Sequence, residues 1–398
     1  MEPRKRAFVA AGWIRDVWIA LGIALLAFAA LEAAYVTQRA IRAAWFGSDS
    51  EREAQENGHP YAGQDWYRDF LGARETVREK FDPWRGYWSY ATASRYLNID
   101  STAQRLTVHP VERVATVGRT VYLLGGSAMW GFTSRDSLTI PSLVAAGLHS
   151  AGITDVAVVN LAQPGYTVGH ELATLVQELN KGRTPAIAVF YDGVNDIRTT
   201  QLYQEPGHAF FEQRFSHLYE VESQRGFFGS LVTPGERSKL VSRIILALGL
   251  NDEWAIPPQK PGNCQRLGGY FRNVHQNAVA LGKQWGFEVL FVQQPIQATT
   301  RKQLTAFERS FMPPPRILNY SRECAVAIDS ALAELSGTNY LSYASLFDDS
   351  SETVFIDRFG HVTEAANQRI ANSLVEAITT RLERRAAADL VPPARSLR

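Results

Sequence analysis

With 398 residues, 45% hydrophobic and 20% charged, the chain has material for a large buried core and is neither disordered nor low in complexity. Its 41 Lys and Arg against 40 Asp and Glu leave a formal net charge of +1, and no basic stretch interleaved with aromatics occurs outside the termini, which argues against a nucleic-acid partner. The eight histidines form no i, i+4 pair and have no Cys cluster beside them, so no structural metal and no cofactor are expected.

At the N-terminus, Arg4, Lys5, Arg6 and Arg15 precede an uncharged apolar run from Val17 to Leu31, followed by Glu32 and a last apolar patch to Val36. About 20 residues suffice to cross a bilayer core, so residues 1–43 read as a basic cytoplasmic tip and a transmembrane helix. The basic end favours the cytoplasm and places the rest outside it, although Arg39 and Arg42 weaken the bias. A cleavable signal peptide is the rival, because Ala27-Phe28-Ala29 offers a cleavage site; apolarity continues beyond it, which favours a retained anchor.

Residues 44–118 are polar, aromatic and irregular. A helix around Gln64 to Lys80 and extended segments are expected to form a juxtamembrane linker packed on the following domain, with Trp84, Tyr87 and Trp88 as packing residues.

The segment Val121 to Gly131 is a buried strand that stops at two glycines and Ser127. Glycines there allow positive φ and close backbone approach, so Ser127 can present its hydroxyl and its N–H beyond the end of the strand. From this point helices and strands alternate. Helices near Ser137–Ser150, His170–Asn180, Tyr270–Trp285 and Cys324–Ser336 separate strands Val156–Asn160, Ala186–Tyr191, Val289–Gln293 and a short one around Tyr340–Ser342. Apolar strands without alternation mean a parallel sheet covered on both faces, an α/β fold. This domain runs over 119–387, interrupted by an aromatic insertion at about 199–261 that holds Phe210, Phe211, Phe227, Phe228 and Trp254. A flexible tail, 388–398, follows.

Right-handed crossovers put every strand-to-helix loop on one edge of such a sheet. Gly165 follows the second strand at a tight turn, and Asn195 follows the third in Tyr191-Asp192-Gly193-Val194-Asn195-Asp196. With the Ser127 N–H they make three donors for one oxyanion. Near the C-terminus, His361 precedes a long helix with Ile370, Leu374, Ile378 and Leu382 on one face. Asp357 lies close enough to orient its imidazole. Trp130, Tyr166 and Asp196, beside these groups, are read as substrate-contacting. Cys264 and Cys324 are either a disulfide in an oxidising compartment or two buried thiols.

These blocks, Gly125-Gly126-Ser127 with Gly131, Gly165, Gly193 to Asp196, and Asp357 with His361, follow one another over roughly Thr120 to Ala387. In that order the chain resembles the SGNH, or GDSL-like, hydrolase superfamily. The resemblance implies a flavodoxin-like three-layer α/β/α sandwich around a central parallel sheet. It implies Ser127 as nucleophile, His361 as base and Asp357 as its orienter, with Ser127 N–H, Gly165 N–H and Asn195 as the oxyanion hole. Two departures stand out. Gly126 replaces the family's aspartate, and Asp357 and His361 are four positions apart where the family uses three. Either Gly360 absorbs the extra residue, or His361 works against a water or a carbonyl. The Gly-x-Ser-x-Gly elbow is not met, because Met129 holds its last position.

The function expected is a membrane-anchored, extracytoplasmic serine esterase acting on an acyl ester, with O-acetyl groups of cell-envelope carbohydrate as the first expectation by analogy. An O-acyltransferase with the same triad, and a catalytically silent glycan-binding or assembly subunit, are the alternatives.

Overall fold

The structure, a computed structural model, describes residues 3–46, 54–110, 118–210, 212, 257–335 and 339–389. Helix α1 (Pro3–Phe46) belongs to one compact unit, and the described residues from Ala54 onward to another. Within α1, Arg15–Gln38 is a 24-residue stretch of mean hydropathy 2.2, long and apolar enough to cross a membrane. Its large apolar side chains, Leu25, Leu26 and Leu31 among them, are exposed.

The second unit is built on five parallel strands: β3 (Arg119–Gly125), β4 (Val156–Asn160), β5 (Ile187–Asp192), β6 (Glu288–Gln293) and β7 (Tyr340–Ser342). Their spatial order is β4-β3-β5-β6-β7. This is the flavodoxin-like arrangement, in which the chain starts near the middle, steps to one edge and returns to build the other. The sequence dictates burial on both faces. Along β5, Ile187, Val189 and Tyr191 enter one apolar layer and Ala188 and Phe190 the other. The first layer is completed by helices α4 (Ile140–Ser150) and α10 (Glu364–Asp389), the latter through Ile370, Leu374, Ile378 and Leu382. The second is completed by α5 (Val168–Asn180), α7 (Asn263–Trp285) and α9 (Pro315–Ala333). The result is three layers, α/β/α.

Two helices begin earlier than the sequence suggests. Helix α7 starts at Asn263 rather than Tyr270; Gly268 and Gly269, poor helix formers within its first two turns, mask the early start in the sequence. Helix α9 starts at Pro315 rather than Cys324, with a proline at the first position, where its missing N–H costs nothing. Cys264 on α7 and Cys324 on α9 form a disulfide, Cα atoms 4.3 Å apart, which resolves the two readings of this pair. The insertion residues Phe211, Phe227, Phe228 and Trp254, and tail residues 390–398, lie outside the described residues.

Ahead of the sheet, helix α2 (Asp65–Thr76) and an antiparallel hairpin of β1 (Glu79–Asp82) and β2 (Gly86–Ser89) occupy the aromatic stretch. Tyr87 is buried, but Trp84 is 73% exposed and does not pack as expected, because it sits at the tip of the hairpin turn. The hairpin is tied to the sheet's edge where Ser89 donates twice to Gln163 Oε1, at 3.0 Å each.

Candidate active site

Strand β3 ends at Gly125, and Ser127 opens the four-residue helix α3 (Ser127–Trp130). On either side of β3, Gly165 lies in the loop after β4 and Asn195 in the first turn of the helix after β5, α6 (Val194–Tyr203). This is the switch point where doubly wound sheets open a crevice. Gly165 has φ +79°, the left-handed turn conformation expected of it. Asn195 Nδ2 donates to the Tyr166 carbonyl at 2.7 Å, which fixes the amide and leaves its second N–H for another acceptor. The same nitrogen bears on the glycine before Ser127. A Cβ on residue 126 would lie 2.4 Å from Asn195 Nδ2 and 3.2 Å from the Tyr166 carbonyl, so a larger residue there requires the asparagine to shift.

His361 Nε2 stands 2.7 Å from Ser127 Oγ, and His361 Nδ1 stands 2.5 Å from Asp357 Oδ2. The four-residue spacing is closed by a small hairpin. Ile356 N–H donates to the His361 carbonyl at 3.0 Å, Thr363 N–H to the Val354 carbonyl at 2.8 Å, and Gly360 turns the chain with φ +76°. Inside that turn Asp357 Oδ1 accepts the N–H of Phe359 at 2.8 Å and of His361 at 3.3 Å. Burial works to raise the Asp357 pKa. The His361 charge, the hydrogen bond to its ring and these two N–H groups outweigh it, and the carboxyl is held below its ordinary value. An ionised carboxylate only accepts, so Nδ1 carries the proton and Nε2 offers a lone pair to the Ser127 hydroxyl.

Residues that the sequence did not single out hold this arrangement. Phe132 stacks on the His361 ring, centroids 5.1 Å apart and planes 22° from parallel. Fully buried Glu308 accepts the N–H groups of Val354 and Phe355, at 3.0 Å each, and pairs with equally buried Lys302 at 2.6 Å. It thereby pins the strand that leads into the Asp/His loop. Desolvation opposes the Glu308 charge, but the Lys302 bond and three backbone N–H groups hold its pKa below the ordinary value. Arg105, also buried, bonds Asp136 at 3.0 Å and the carbonyls of Trp130, Gly131 and Ser134, which fixes the chain just after Ser127. Except for Lys302 and Glu308, six residues apart, these pairings join segments far apart along the chain and have no signal in sequence.

Three expected substrate contacts are placed elsewhere. Trp130 is 1% exposed and packs under the Arg105 guanidinium, 4.6 Å from the ring centre. Tyr166 is also 1% exposed. Its hydroxyl donates to the Tyr87 carbonyl at 2.6 Å and its ring stacks on His170, so it braces the Gly165 turn against the hairpin. Asp196 is buried and accepts the Val168 N–H at the start of α5, at 3.2 and 3.4 Å. Their short sequence distance from the site misleads, because the residue after a strand end often turns inward. Among the described residues no group of three or more His, Cys, Asp or Glu is arranged to hold a metal.

No family model matches the sequence, and no curated protein does. Among solved structures the chain is similar to TesA, at 16% identity over 67% of this chain and 98% of that one, with a TM-score of 0.37. It is similar to the acetyl xylan esterase AlAXEase, at 12% identity over 65% and 99%, TM-score 0.36. It is also similar to a lipolytic protein of the G-D-S-L family from Desulfitobacterium hafniense, at 9% identity over 65% and 99%, TM-score 0.37.

Proposed function

We propose that this protein is a serine esterase that cleaves an acyl ester through Ser127, His361 and Asp357. The observation that carries the reading is the unbroken chain of contacts from Ser127 Oγ to His361 Nε2 and from His361 Nδ1 to Asp357. A hydroxyl, a base and an ionised orienter within hydrogen-bond reach are what nucleophilic catalysis requires. The Gly360 turn accommodates the four-residue spacing between Asp357 and His361.

His361 Nε2 takes the Ser127 proton as the oxygen attacks the ester carbonyl. The charge that develops on the carbonyl oxygen is met by the N–H groups of Ser127 and Gly165 and the free N–H of Asn195. Imidazolium then returns the proton to the leaving alcohol, and a second cycle with water releases the acid from the acyl-serine. An O-acetylated carbohydrate of the cell envelope is the substrate class we favour, with α1 as a membrane anchor and the second unit outside the cytoplasm. The Cys264–Cys324 disulfide supports that side of the membrane, since such bonds persist in oxidising compartments.

The test is release of acetate from 4-nitrophenyl acetate and from acetylated xylan by the full chain in detergent, with Ser127→Ala and His361→Ala alongside. The reading expects turnover by wild type and a loss of about 10³-fold or more in each variant. Wild-type turnover that survives Ser127→Ala contradicts it.

A further inference from the structure

The side of the site occupied by His361 carries a cation that the mechanism above does not use. Arg74, half-buried on α2, lays its guanidinium over the Phe132 ring at 4.6 Å, and Phe132 stacks in turn on His361. The charge is therefore one aromatic ring from the imidazole. Asp357 and Glu75 exert a field on it, but among the described residues no carboxylate or carbonyl bonds the guanidinium. The contrast with its neighbours is sharp. Arg105 is engaged by Asp136 and three carbonyls, and Arg135 is held by both oxygens of Glu364, at 3.0 and 2.7 Å. The positive field around Arg74 is felt nearby. After burial, Arg74 is the next cause that lowers the His59 pKa, to about 4, so that ring is uncharged at neutral pH and does not compete for an anion.

Geometry decides which part of an ester would meet this group. The oxyanion donors face the carbonyl oxygen, whereas His361 must face the leaving oxygen to protonate it. Phe132, stacked on the imidazole, therefore borders the alcohol portion, and the Arg74 guanidinium stands over that ring. We propose that Arg74 is a specificity-determining residue that binds an anionic group, a carboxylate or a phosphate, carried by the alcohol portion of the substrate ester. The planar guanidinium is suited to this because it meets either anion through two parallel N–H bonds. The inference deepens the esterase reading and rests on it. It narrows the substrate from acyl esters in general to esters of acidic alcohols, such as a uronate or a phosphorylated sugar.

The experiment compares an isosteric pair, 4-acetoxybenzoate and the neutral 4-acetoxybenzamide, with 4-acetoxyphenyl phosphate as a third substrate, on the full chain in detergent. Wild type is expected to show kcat/KM for an anionic ester roughly tenfold or more above that for the neutral one, a preference that shrinks with added salt. Whichever of the carboxylate and phosphate esters is preferred identifies the anion. Arg74→Gln is expected to collapse the ratio towards one, mainly through KM for the anionic ester, and Arg74→Lys to keep part of it. Arg272→Gln, a change at a distant exposed ion pair on α7, keeps the full ratio. Wild type that reacts with a fluorophosphonate but shows no preference for either anionic ester overturns the proposal alone, as does an Arg74→Gln protein that retains the preference. Wild type that neither reacts with the fluorophosphonate nor hydrolyses any of the esters overturns the esterase reading itself.

Discussion

At the scale of single residues, chemistry is concentrated in a few short contacts. Asp357 holds the His361 tautomer, and an amide in its place would present an N–H to Nδ1 and favour the wrong one. Asp357→Asn is therefore expected to lower kcat by about 10³ to 10⁴-fold, and, because the folded state favours the ionised carboxyl, to lower the unfolding midpoint modestly at pH 7. Steady-state kinetics beside a thermal melt check this. Gly126 makes a complementary prediction. A methyl group there drives into Asn195 Nδ2, so Gly126→Ala is expected to displace the amide and cost about as much as removing it, roughly 10² to 10³-fold in kcat. Asn195→Ala is the reference, and the double variant should lose little more than either single one. Near-additive losses would show that the two residues act separately.

At the scale of elements, the Asp/His loop depends on a buried ion pair that touches no reacting atom. Removing one partner strands the other charge in a dry site. Glu308→Ala is thus expected to cost about 3 to 5 kcal/mol of stability and to slow catalysis by loosening residues 354–361. Denaturant unfolding measures the first effect and kcat in dilute denaturant-free buffer the second. This element also marks the limit of legibility in the sequence. Strands β3 to β6 could be read because burial on both faces demands continuous apolar runs, and the loops after β3, β4 and β5 followed from parallel topology. The serine and the asparagine are visible because they follow strand ends, and the Asp/His pair because it precedes the long amphipathic helix at the C-terminus. Glu308, Arg105 and Arg74 were not, since a charged residue in a polar stretch looks solvated until the fold buries it. The same blindness misassigned Trp130, Tyr166 and Asp196, whose side chains turn into the interior.

At the scale of the whole molecule, two features govern stability. The Cys264–Cys324 bond closes a loop with a sequence separation of 60 and ties α7 to α9. Its removal as Cys264→Ser with Cys324→Ser should cost about 2 to 5 kcal/mol, read as a fall in the denaturant midpoint. A second feature is a cluster of interacting carboxyls, Glu171 on α5, Asp192 at the end of β5 and Asp196 on α6 (Val194–Tyr203), all of them buried. Burial first, and mutual repulsion for Glu171 and Asp196, push these carboxyls up, Asp192 to about 7. For a carboxyl raised in the folded state, the unfolded chain releases its proton first. Its stabilising contribution is complete below the ordinary carboxyl range, near 4, and is lost as pH rises through the folded value. Glu171→Gln keeps the neutral, protonated-like form at every pH. It is expected to stabilise the protein at pH 7 to 8 relative to wild type and to lose that advantage near pH 4, in melts recorded across this range. An advantage that does not change with pH would contradict the assignment.

The central claim is that His361 and Asp357 activate Ser127. A fluorophosphonate probe forms a covalent bond only with an activated serine, so the most direct measurement is mass mapping of the labelled full-length protein. The account predicts one adduct, on the peptide that contains Ser127, absent from Ser127→Ala and strongly slowed in His361→Ala. No adduct on folded wild-type protein, under conditions in which a serine esterase control is fully labelled, or an adduct that persists in Ser127→Ala, would contradict it.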